Sequence, residues 1–207
     1  ADEIGFQVTH ILPGGFLRFC KIGGPTSMVL PGHRVRLLTD PPLEGVIGVR
    51  PGHVLSPAEA HRVPASEDLY IDVGATNSEE VQRWGVEPGT PAVFAGELTG
   101  TANPNRFFGK SVDNRMGVVS VIEVARRLQQ TQIKANCCYA IVVEEEVGLR
   151  GALVAAQRLQ PDVVIAIDTT PAGGTPDLST EQLPWQIGNG PLLKVRETRG
   201  VLTHGPL

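Results

Sequence analysis

Cysteine is scarce in this chain of 207 residues: there are three, and Cys137 and Cys138 are sequence neighbours. On a strand their side chains point to opposite faces, which makes them a poor metal pair. With no CxxC spacing and no even framework, they read as small buried hydrophobes in a reducing compartment. No apolar run reaches membrane-spanning length and no secretory leader pattern is present, so a soluble cytoplasmic protein without a membrane partner is expected. Basic excess is also missing: the formal net charge is -4, which argues against nucleic acid as a partner. Aromatic residues make up only 5%, and Tyr70, Trp84 and Phe94 read as core. His10, His33, His53 and His61 are scattered without an HxH or HxxxH spacing and are not expected to bind metal.

Glycine and proline, by contrast, are plentiful, at 24 and 17. From residue 3 to about 95 they punctuate short β-like stretches at 4–12, 16–22, 27–30, 33–38, 45–49 and 69–73. Turn signals every ten residues or so are the rhythm of a small antiparallel barrel or sandwich. One helix is expected inside this part, capped by Thr76 with Glu79 three residues on, turning Val81 and Trp84 inward and ending at Gly85. From residue 96 the period changes. Helices are expected at 113–129 and 149–159, and strands at 136–143, 162–167 and 191–195. Strands alternating with long helices imply α/β architecture with a parallel sheet. Two domains are therefore expected, 1–95 and 96–207, with 177–186 a loop.

Acidic residues stand at three joints of the second part: Asp113 before a helix, Glu144, Glu145 and Glu146 after one strand, and Asp168 after the next. Singly, each has an ordinary explanation as a cap, a first-turn charge or a turn former. Together they are more informative, because the carboxyl ends of adjacent parallel strands meet in one crevice. Crowded carboxylates repel by about 4 kcal/mol at short range in an intermediate dielectric, and protonation or a cation relieves this. Two divalent ions about 3.5–4 Å apart, of Zn²⁺, Co²⁺ or Mn²⁺ type, form the usual hydrolytic arrangement. One bridging carboxylate, one terminal carboxylate per ion and one free base would use four acids, with Glu145 and Glu146 dividing the last ligand and the base between them.

These residues resemble the tetrahedral, or TET, metalloaminopeptidases, a family that includes glutamyl and deblocking aminopeptidases and proteins once called cellulase M. Asp2-Glu3-Ile4-Gly5-Phe6 is similar to the end of the family's His-x-Asp-Glu-Ile-Gly segment. Ser111 to Gly117, Glu145 to Gly151 and the run Ile167-Asp168-Thr169-Thr170 resemble its other site motifs. The resemblance implies an α/β fold: part of a doubly wound metallopeptidase sheet sandwiched by helices, with an inserted small β-barrel domain serving assembly. It makes Asp113 the bridging ligand, Glu146 and Asp168 the terminal ligands and Glu145 the general base. Asp2 would orient a ligand histidine, and Glu144 becomes a spectator. It further implies peptide substrates with a free amino terminus and a homo-oligomer of dimers assembling to a dodecamer. Two histidine ligands of the family fall outside the sequence, and His204 does not replace them, so the chain reads as an internal fragment holding three of five ligands. Weak metal binding and little activity are then expected of it. The rivals are a non-catalytic assembly or binding fragment, and a glycoside hydrolase built on paired carboxylates. Adjacent glutamates fit the latter poorly, since glycosidase acids face each other about 5–9.5 Å apart across a sugar.

Overall fold

The computed structural model describes residues 3–196. The chain divides into two compact units, Ala1–Thr169 and Thr170–Leu207. The first unit opens with a closed barrel of six antiparallel strands: β1 (Gly5–Ile11), β2 (Leu17–Ile22), β3 (Arg34–Leu37), β4 (Leu43–Gly48), β5 (Tyr70–Asp72) and β6 (Pro91–Phe94). Around the barrel the order is β1, β2, β5, β4, β3, β6, and β1 closes the ring by pairing Gly5 with Val93.

Alternation along the strands explains the closure. Phe6 and Val8 of β1, Leu17 and Phe19 of β2, Val35 and Leu37 of β3, Ile47 of β4, Ile71 of β5 and Ala92 of β6 are all buried. The residues between them face outward, as a period of two requires. Phe6 meets Phe19 and Phe94 edge to face at ring separations of 5.1 and 5.0 Å. Each fully buried large side chain contributes about 1.5–3 kcal/mol over its exposed state. A register shift between Val8 and His10 sets Thr9 out of step as a bulge, and His10 is exposed.

From the connections between strands, Leu30, Leu69, Val81 and Val86 join the barrel's hydrophobic core. A 3-10 turn occupies Ser27–Val29, where a strand is expected from the apolar run, and Leu30 behind it is fully buried. A single turn, α1 (Pro57–Ala60), is closed by a capping box between Ser56 and Glu59. In α2 (Ser78–Arg83) the cap lies one residue beyond Thr76: the Asn77 side chain accepts from the Glu80 amide, and Thr76 instead donates to the Glu80 carboxylate. Val81 is fully buried and Gly85 follows with φ +81°, as expected. The strand β6 is absent from the expected set; it is four residues long and begins with proline.

Beyond the barrel come a two-residue hairpin, β7 (Thr99–Gly100) and β8 (Phe107–Phe108), and two helices, α3 (Val112–Leu128) and α4 (Arg150–Leu159). Both helices lie within a residue or so of expectation. The strands do not: 136–143, 162–167 and 191–195 form no ladder among the described residues. A strand is held by its neighbour's hydrogen bonds, and among the described residues none of these segments pairs with a neighbouring strand as the barrel strands do. Their side chains are correspondingly open, Ile141 at 53%, Val143 at 61% and Ile165 at 82% exposure. The architecture is therefore mixed α/β with a closed barrel, and the doubly wound sheet is not formed among the described residues. Cys20, Cys137 and Cys138 are all free and exposed, which corrects the expectation of buried thiols.

The second unit, described to residue 196, is built of turns. Trp185 donates its indole N–H to the Pro171 carbonyl at 2.7 Å, and the Gly173 amide donates to the Trp185 carbonyl. Ser179 and Gln182 cap one turn reciprocally. No helix among the described residues is long and apolar enough to cross a membrane.

Candidate active site

Asp113, Glu145, Glu146 and Asp168 all line one crevice of about 110 Å³ in the first unit, with Asn114, Val118, Val121 and Ile167 among its other walls. Asp113 lies at the start of α3 but is not helical; its φ and ψ are -80° and 113°, and Asn114 has -117° and 50°. The peptide between them is cis. Ser111, just ahead, is left-handed with φ 56°. Glu144 and Leu149, which bracket the loop carrying Glu145 and Glu146, are left-handed too. A non-glycine residue in that region costs about 1–2 kcal/mol, and such strain concentrates where a site over-determines the backbone.

Local hydrogen bonds and one close backbone approach place the acids. Asn114 joins two joints: its Oδ1 accepts from the Gly117 amide at 2.8 Å, and its Nδ2 donates to the Ile167 carbonyl at 2.9 Å, next to Asp168. The loop 144–151 is pinned by amides of Gly148 and Leu149 donating to the Glu145 carbonyl, and of Gly151 donating to the Val143 carbonyl. Finally, Glu146 reaches back to the barrel. Gly23 has φ +73°, and a Cβ built there would stand 2.5 Å from Glu146 Oε2, so only glycine admits this approach. Asp168 accepts from the Thr169 amide at 2.8 Å. Glu146 is half-buried, and the other three acids are exposed. Glu144, expected to be a spectator, is absent from the lining and lies 3.5 Å from Arg150.

One residue with a structural hold on this region, Glu3, falls inside the Asp2 to Phe6 motif but takes no role from the sequence. The Glu3 carboxylate accepts from Lys110 Nζ and from Ser111 Oγ, and Arg115 Nη2 stands 3.7 Å away. Burial works to raise its pKa, but the hydrogen bonds from Lys110 and Ser111, with the charges of Lys110 and Arg115, hold it below the ordinary carboxylate value. Its partner Lys110 lies more than a hundred residues away in sequence, so the motifs at Asp2 to Phe6 and Ser111 to Gly117 do not by themselves show that Glu3 meets that turn. Asp2 and His204 lie outside the described residues.

The donor set suits hard or borderline divalent ions: four of the residues lining the crevice are carboxylates and none is basic. Among the described residues, however, no three His, Cys, Asp or Glu side chains stand close enough to close around one ion. The fit to metal thus rests on donor chemistry and the shared crevice. His10, His33, His53 and His61 are not among the residues that line this crevice.

Comparison with known proteins adds a family to this geometry. FrvX of Escherichia coli strain K12 is 38% identical over 207 residues, covering 96% of this chain and 55% of that protein. The lysyl aminopeptidase of Pyrococcus furiosus is 35% identical over 196 residues, covering 94% of this chain and 55% of that protein. The chain thus spans about half the length of the curated relatives it matches. Among solved structures, a TET aminopeptidase from a marine sediment Thaumarchaeota archaeon superposes with a TM-score of 0.86 at 35% identity, over 91% of this chain and 54% of that one. The Pyrococcus horikoshii TET1 peptidase, which can assemble into a tetrahedron or a large octahedral shell, gives 0.72 at 35% identity, over 86% and 54%. An endoglucanase of Thermotoga maritima gives 0.59 at 26% identity, over 86% and 49%. The M42 glutamyl aminopeptidase family matches residues 1–205, and the chain belongs to that family.

Proposed function

We propose that these residues belong to a metal-dependent aminopeptidase that hydrolyses amino-terminal residues from peptides. The observation that carries this reading is the meeting of Asp113, Glu145, Glu146 and Asp168 in one crevice, in a chain related to lysyl and TET aminopeptidases. Asp113, Glu146 and Asp168 are the residues that would hold two divalent ions of Zn²⁺, Co²⁺ or Mn²⁺ type. Bound there, the ions supply Lewis acidity that polarises the scissile carbonyl and acidifies water. Glu145 accepts the proton from the attacking water and returns it to the leaving amine; its exposed position on the crevice wall leaves it open to water. Asp2 is assigned to orient a histidine ligand.

The same reading places 1–95 as the inserted barrel and 96–207 in the peptidase domain, with 136–143 and 162–167 as strands of a doubly wound sheet in the assembled enzyme. Their apolar side chains, open here, suit such burial. The tetrahedral assembly of the Pyrococcus horikoshii peptidase and the dodecamer of PhTET1-12s support a homo-oligomer of dodecameric type for this chain too. Free thiols support a reducing cytoplasm.

The test is release of the aniline from an aminoacyl-anilide by the full-length protein that contains these residues, with and without EDTA. Metal-dependent cleavage is expected. Retention of tight metal with no cleavage of any aminoacyl substrate would overturn the peptidase reading and leave a binding or assembly role. The likeness to an endoglucanase favours a second reading, glycoside hydrolysis; activity on a glucan that survives chelation would select it.

A further inference from the structure

A second charged cluster stands outside the crevice, and none of its members lines it: Glu3, Lys110, Ser111 and Arg115. The Glu3 side chain is only 17% exposed and that of Lys110 29%, and the Lys110 Nζ lies 2.9 and 2.6 Å from the two Glu3 oxygens. An ion pair joining the start of β1 to the approach of α3 would need no more than Lys110. Here two donors, Lys110 and Ser111, converge, and the Arg115 guanidinium stands 3.7 Å away as an ion-pair partner. Ser111 comes from two residues before Asp113 and Arg115 from two residues after it, so one carboxylate grips both sides of that acid. Ser111 is also left-handed, a conformation that a serine does not hold without outside support.

We propose that Glu3 is a positioning residue: through Lys110, Ser111 and Arg115 it sets the turn 110–115 so that the Asp113 carboxylate faces the crevice. This rests on the reading of Asp113 as a metal ligand. Supporting groups that orient ligands change metal affinity by about 10- to 100-fold when removed, because the ligand then samples orientations that do not bind.

The experiment titrates the full-length protein that contains these residues with Co²⁺ alone, following the visible absorption band that reports ligand geometry, and records thermal unfolding in parallel. Glu3→Gln is expected to weaken Co²⁺ binding about tenfold or more and to shift the band. If Glu3→Gln binds Co²⁺ within twofold of the parent with an unchanged band and only its melting midpoint falls, Glu3 is a structural ion pair and the proposal is overturned. Asp113→Asn in the same titration separates the two readings. When it abolishes binding and Glu3→Gln does not, the positioning role alone fails; when it leaves binding untouched, the site assignment fails and this inference with it. Should Glu3→Gln not fold, Ser111→Ala and Lys110→Met each remove one donor, and parental Co²⁺ binding by both would overturn the proposal equally.

Discussion

Replacing Glu145 with glutamine removes a proton acceptor while leaving shape and volume almost unchanged. Turnover should fall by about 10²- to 10⁴-fold, the range for general-base removal, with bound metal counted by elemental analysis unaltered. Asp113→Asn should instead lose metal. At Asn114 the expected damage is structural, since its amide ties Gly117 to Ile167. Asn114→Ala should cost about 1–3 kcal/mol by denaturant titration and speed amide exchange at the start of α3. A contrasting case is Glu44 on the barrel surface. Its hydrogen bond from Arg36 outweighs the opposing effect of burial and, with the charges of Arg36 and Arg34, holds its pKa below the ordinary value. A lowered folded pKa means stability that is present above the unfolded value of 4.5 and is lost as pH falls through the folded one. The side chain is 39% exposed, so the pair is worth only about 0.2–1 kcal/mol. Melting of Glu44→Gln should differ from the parent by a degree or two at neutral pH, and the difference should vanish in acid.

Among the elements, Leu17 and Ile71 are paired on the neighbouring strands β2 and β5 and fully buried, and truncating either to alanine should cost about 2–5 kcal/mol in a denaturant titration. Ile165→Ala, at 82% exposure, should fall within about 0.5 kcal/mol of the parent in the same chain. That difference also shows where the sequence was legible. In β1, β2, β3 and β5, alternation and turn residues agree, and both are local. At Ser27–Val29 the apolar run has no period to separate a strand from a turn, and tertiary packing around Leu30 decides it. At Pro91–Phe94 the proline hides a strand that exists because two others need a partner. Thr76 and Asn77 are both good caps, and only the backbone path chooses between them. The four crevice acids could be picked out because each stands at a joint. Glu3 stands in a recognisable motif, but its contacts with Lys110 and Ser111 could not be read because they join distant parts of the chain. The segments 136–143 and 162–167 read as buried strands from composition, but composition does not supply the neighbouring strand that a ladder requires.

Across the whole molecule burial is uneven: among the described residues, every buried hydrophobic side chain falls between Phe6 and Ala92. The barrel therefore carries its own core, and limited proteolysis should leave a resistant fragment ending near residue 95 while the later segments are cut. Cleavage inside the barrel at equal rate would refute a separate domain there. The pairing of Gly5 with Val93 bears on how such a chain arises. Opposed residues of an antiparallel ladder stand only about 4.5–5.5 Å apart, so the polypeptide enters and leaves the barrel side by side. A module whose two ends coincide in space can be spliced into a host loop, or excised and replaced by a few residues, without moving what lies on either side. The barrel's closing ladder is thus also the seam at which it can be grafted.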